Sequence, residues 1–100
     1  MQPVAPTFDV QLELPALEAT ARKWATRTRA LVNRAVCDDQ EHALTVAAIQ
    51  FDSAAQFLGH GDVDKARDAL RIAANYAGSE EASAPRIAEA ASTLLAAIPT

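Results

Sequence analysis

Apolar residues at spacings of three and four recur in four successive segments of this chain of 100 residues. That spacing is the period of an α-helix with one buried face, and it constrains the fold more than any other feature of the sequence. The breaks between the segments are short, which favours antiparallel neighbours. The sequence therefore predicts an all-α fold, a small four-helix bundle of antiparallel neighbours, over residues 15–100.

Capping residues predict where the helices begin and end. Proline suits the first turn of a helix, so the first helix is expected to begin at Pro15 and to run for about 22 residues to Ala35, with Trp24 as a core anchor. Acidic and hydroxyl side chains favour N-cap positions and glycine favours helix ends. The predicted N-caps are Asp38, Asp62 and Ser83, and Gly78 is the predicted end of the third helix.

The first 14 residues are expected to form a separate extended N-terminal arm, because prolines at positions 3, 6 and 15 disfavour one continuous helix there. Between these prolines apolar and polar residues alternate, a period of two that is typical of an extended segment with one apolar face. Its apolar residues are predicted partner contacts: Phe8, Val10 and Leu12. The arm either packs on its own bundle or pairs with another chain.

Two further surfaces are candidates for binding a partner. The second helix has an additional apolar set, which means that it is central in the bundle or open on one side. The first helix carries basic residues that either cover the edge of the core or contact an acidic protein surface. The candidate residues are Val46, Ile49 and Phe57 on the second helix and Lys23, Arg27 and Arg34 on the first.

Part of the chain resembles one tetratricopeptide-type helical hairpin. The resemblance covers residues 50–78, and the residues that carry it are Ala54, Phe57, Gly61, Asp62, Ala66, Leu70 and Ala73. It lacks the early aromatic residue, which is Gln50 here, and the closing proline, where Gly78 stands. The resemblance implies protein binding and no chemistry.

The sequence contains few candidate catalytic or metal-binding residues. His42 begins a His-Ala-Leu triplet that is similar to the start of the histidine-phosphotransfer motif, but Thr45 and Val46 replace its lysine and glycine. The acids near His42 and His60 lie at helix starts, where capping explains them. No catalytic, cofactor-binding or metal-binding residues are therefore assigned, and the chain is not expected to be an enzyme.

Charge and cysteine content restrict the partners and the compartment. The net charge of −4 makes nucleic acid an unlikely partner, and no apolar run suggests a membrane span. The single cysteine, Cys37, is expected to be a small core residue and fits a reducing compartment. We expect a cytoplasmic, non-catalytic protein-binding protein: a small adaptor, a chaperone or an inhibitor of a larger complex, such as a phage-encoded one. The alternatives are a phosphotransfer protein that uses His42 and a homodimeric structural protein.

Overall fold

The computed structural model describes the backbone of residues 5–99 and the side chains of residues 14–99. Four helices follow one another: α1 (Ala5–Val32), α2 (Asp38–Gly59), α3 (Val63–Ala77) and α4 (Pro85–Ala97). Each helix packs against the next, and α1 also contacts α4, although less extensively. No strand occurs within residues 5–99, so the predicted bundle of four helices is confirmed. None of the described helices has a stretch long and apolar enough to cross a bilayer.

The core of the bundle consists mainly of small side chains. Two thirds of its buried apolar residues are alanine, and the largest side chains with almost no exposure are Phe51, Leu70 and Thr28. The Thr28 hydroxyl donates a hydrogen bond to the carbonyl oxygen of Trp24 at 2.7 Å, so burial leaves it satisfied. Alanine lets helices approach closely, so the few large side chains carry a large share of the packing.

The turn between α2 and α3 follows its sequence. Asp62 is the N-cap of α3, and its carboxylate accepts a hydrogen bond from the backbone N–H of Lys65 at 3.2 Å. Gly61 before it has a φ of 78°, which glycine adopts at little cost. Gly78 caps the other end of α3. The predicted roles of Asp62 and Gly78 are therefore confirmed.

Two other predicted caps are wrong. The N-cap of α2 is Cys37, and Asp38 is the first helical residue, where its carboxylate complements the helix dipole without capping. The N-cap of α4 is Ala84, because Pro85 occupies the first helical position and displaces Ser83 by one residue. Cys37 is also exposed, not a core residue, since it lies in the turn before α2.

The first helix differs from its prediction at both ends. The backbone of residues 5–14 is helical, where an extended arm was predicted, and Pro15 lies inside α1. An alternation of period two over so few residues also places apolar residues four apart, which a helix accepts equally well. At the other end α1 stops at Val32, so Ala35 lies in the following turn.

Candidate functional site

A groove lies where α1 and α4 run side by side with little mutual contact. At one end is the larger of its two cavities, of about 560 Å³, bounded by the second half of α1, the start of α2 and the turn before α4; we call this the wide end. A second cavity of about 510 Å³ continues between α1 and α4 toward Leu17 and Ala97. Trp24 and Arg86 line both cavities, so the two form one continuous surface. We call this surface the α1/α4 groove.

The wide end of the groove has an apolar lining. Trp24 and Leu31 come from α1, Leu44 from α2 and Ile87 from α4. Leu44 and Ile87 are buried, whereas Trp24 and Leu31 are half-buried and pack against the core from the outside. Trp24 is therefore a wall of the groove, and its predicted role as a core anchor is only partly met.

Three arginines surround this apolar lining. Arg27, Arg34 and Arg86 are exposed and line the cavity, and no Asp or Glu is among its lining residues. The Arg27 guanidinium lies 4.9 Å from the centre of the Trp24 ring, which is a cation–π contact between two lining residues of the groove.

Ion pairing sets these arginines apart from the other cations. All nine Lys and Arg residues lie in the part of the chain whose side chains are described, and five of them pair with an Asp or Glu there. The paired residues are Arg22, Arg29, Lys65, Arg67 and Arg71. Of the four that have no such partner among the described residues, three line the groove and the fourth is Lys23. Positive charge is thus concentrated on one surface of an acidic protein.

The turn before α4 closes the wide end of the groove. The Gln40 side chain accepts a hydrogen bond from the backbone N–H of Val36 at 2.8 Å and donates one to the carbonyl oxygen of Ala82 at 3.2 Å. These bonds connect the start of α2 to this turn. Ser83 has a φ of 49°, and its hydroxyl donates to the carbonyl oxygen of Glu80 at 3.1 Å. Because no side chain caps α4, the positive end of its dipole adds to the field of the arginines.

The structure separates the basic residues that the sequence grouped together. Arg27 and Arg34 line the groove, whereas Lys23 is exposed outside it. Arg86 and Trp24 belong to the site and were not predicted as site residues. Arg86 follows Pro85 at the start of α4, and only the packing of α4 beside α1 brings it there. Trp24 could have been identified from the sequence, because a large aromatic residue in an alanine-rich helix also suits a surface pocket.

The additional apolar face of α2 lies partly beside α1 and partly against the core. Ile49 is 50% exposed and lines a small cavity beside α1. Val46 is half-buried. Phe57 packs partly against the core, and the Lys65 ammonium lies 5.8 Å from the centre of its ring. This face therefore does not form one open patch.

The remaining predicted contacts are on the first residues of the chain. The side chains of Phe8, Val10 and Leu12 lie outside those that the structure describes. The prediction that they bind a partner stays a prediction.

His42 lies in a different place from the groove. It is exposed on α2, its ring meets that of Tyr76 edge-on at 6.4 Å between centres, and it lines a cavity with Asp39 and Glu81 but without a cation. Two carboxylates near the imidazole disfavour a phosphoryl group, which is itself negative. Among the side chains of residues 14–99, no group of three or more His, Cys, Asp and Glu is arranged to hold a metal ion.

Comparisons with protein-family models, with curated proteins and with solved structures give no match.

Proposed function

We propose that this chain is a non-catalytic protein-binding module and that it binds its partner in the α1/α4 groove. The observation that carries the proposal is the convergence of Arg27, Arg34 and Arg86 around Trp24, without an acidic neighbour in the wide end of the groove. Arg and Trp are the side chains most often found at the energetic centre of protein interfaces. Arginines that contributed only to solubility would not need to lie together in one groove.

The alanine-rich framework supports this proposal. Small buried residues let the helices pack closely, so the bundle fixes the backbone positions from which Trp24 and the arginines project. A groove whose backbone is formed before binding loses less entropy when a partner arrives. The hairpin of residues 50–78, in which Ala54, Ala66 and Ala73 are fully buried, suits the tetratricopeptide-like interpretation, which also implies protein binding.

We further propose that the protein acts in the cytoplasm as an adaptor, a chaperone or an inhibitor of a larger complex. The exposed free thiol of Cys37 is compatible with a reducing compartment. Non-catalytic action is compatible with the wide end of the groove, whose lining has no histidine, cysteine or carboxylate to act as nucleophile or base.

The test is an affinity capture from host extract with three forms of the full chain: wild type, Arg34→Glu and Lys23→Glu. Lys23 is the matched control because, like Arg34, it is exposed and without a described ion pair, but it lies outside the groove. We expect a protein, identified by mass spectrometry, that wild type and Lys23→Glu retain and that Arg34→Glu loses. Equal retention by all three forms would contradict the proposal.

Self-association is measured on the same three forms by sedimentation at several concentrations. A dimer that Arg34→Glu dissociates and Lys23→Glu does not would assign the groove to a second copy of this chain, and would overturn the proposal of a different partner.

A further inference from the structure

We propose that the groove binds an amphipathic helix of the partner protein, apolar along one face and acidic at one end. This inference rests on the proposed function and specifies the chemistry of the partner. Three properties of the groove lead to it: its length, the nature of its walls and the uneven distribution of its charges.

The length of the groove suits a helix of about four turns. Its residues on α1 extend from Leu17 to Leu31, and Arg34 lies in the turn after α1. At 1.5 Å per helical residue the separation between Leu17 and Leu31 is about 21 Å. α4, which forms the other wall, has 13 residues and is about 20 Å long.

The walls favour a helical occupant over an extended one. Both long walls are helices, whose backbone N–H and carbonyl groups are bonded internally. Residues 5–99 contain no strand whose edge could pair with an extended peptide. An extended segment would therefore leave its own backbone groups unpaired on apolar walls, which is costly. A helix satisfies its backbone internally and offers side chains at a spacing that suits such a groove.

The charges differ between the two ends of the groove. Arg34, Arg27 and Arg86 line the wide end, which contains no carboxylate. The other end contains Glu89, and its other lining residues beyond Arg86 are apolar or neutral. A partner helix with acidic residues at one end matches this distribution, whereas a uniformly charged helix places part of its charge beside Glu89 or on an apolar wall. Electrostatic matching of this kind also fixes the direction of binding.

Trp24 provides a direct measurement, because it is the only tryptophan in the chain and it lies at the junction of the two cavities. The probes are helical peptides of about 15 residues, the length of the groove along α1, each with one leucine face. The first has its glutamates clustered at one end, the second has the same composition with the glutamates spread along the helix, and the third has lysines in place of the glutamates. Circular dichroism of each peptide shows whether their helix contents are comparable.

We expect the clustered peptide to give a saturable change in Trp24 emission. The lysine peptide is expected to bind at least about tenfold more weakly, equivalent to about 1.4 kcal/mol, with the spread peptide between the two. Arg34→Glu should weaken the clustered peptide by a similar factor, Lys23→Glu should not, and added salt should weaken binding to the wild type.

Three results would overturn the inference: no emission change with any peptide, equal binding of the lysine peptide, or a response to inorganic polyphosphate as strong as the response to the clustered peptide. If these occur while capture from extract still depends on Arg34, only the helix chemistry is wrong. If capture is also independent of Arg34, the proposed function itself is wrong.

Discussion

Phe51 should contribute more to stability than any other single side chain of the bundle. It is fully buried, and it is the largest side chain with essentially no exposure. Replacing it with alanine removes roughly 100–150 Å² of buried ring surface, which at about 25 cal/mol per Å² amounts to about 3 kcal/mol. Its core is mostly alanine, and alanine has no rotamers with which to fill a cavity. The cavity therefore adds about 1–2 kcal/mol, and the expected loss in the free energy of unfolding is about 4–5 kcal/mol.

The assay is urea denaturation followed by helical circular dichroism, with thermal melting as a second readout. For a chain of this size the loss corresponds to a drop in melting temperature of roughly 15–40 °C. The control is Ile49→Ala on the same helix, where the side chain is 50% exposed and the expected loss is below about 1 kcal/mol. A loss below about 2 kcal/mol for Phe51→Ala, or similar losses for both variants, would show that the core rearranges around the cavity and that the account of its packing is wrong.

Three other substitutions or reactions test local features. Gly61→Ala should destabilise the fold by about 1–2 kcal/mol, because Gly61 has a positive φ. Gly59→Ala, at the end of α2, should be neutral or stabilising by up to about 1 kcal/mol, since an added Cβ meets only the flexible Glu18 carboxylate at 3.2 Å. Equal urea midpoints for the two variants would refute this pair of predictions. Asp62→Ala should cost about 1 kcal/mol by removing the cap of α3, and Asp62→Asn should restore most of it; a midpoint unchanged in Asp62→Ala argues against the cap. Cys37 should react with a thiol reagent in the folded protein at close to the rate in urea, and strong protection in the folded state would contradict its exposure.

The bundle could be predicted from the sequence because apolar residues recur at spacings of three and four in each helix. The stripe of α2, for example, includes Leu44, Phe51 and Leu58, and all three are buried. The caps that were predicted correctly, Asp62 and Gly78, act through their immediate neighbours. A capping residue acts within one helical turn, so it can be recognised from the sequence without knowledge of the tertiary packing.

The failures have two physical causes. Near residues 5–14 the alternation of apolar residues was compatible with both a strand and a helix, and α1 begins before Pro15, not at it. Around Ser83 and Asp38 the capping position moved by one residue, a shift that side-chain preference alone does not decide.

The site could be predicted only in part, because its residues come from distant parts of the sequence and meet only in the folded structure. Arg27 and Arg34 are seven positions apart, so helical spacing predicted their common flank, although α1 ends at Val32 and Arg34 lies in the turn that follows. Arg86 lies more than 50 positions further along the chain and joins them only because α4 packs beside α1. Lys23 was predicted as a site residue together with Arg27, because both lie on α1, but the sequence gave no indication that Lys23 lies outside the groove.

The most direct test of the account is a chemical-shift titration of the isotopically labelled chain with the helical peptide that carries clustered glutamates. We expect the largest shift changes along the groove, from Leu17 through Trp24 on α1 to Arg34 in the turn after it and along α4, while the shifts around Ile49 and Tyr76 stay unchanged. Changes centred on the α2–α3 surface near Tyr76, with the groove unaffected, would contradict the claim that the α1/α4 groove is the binding site.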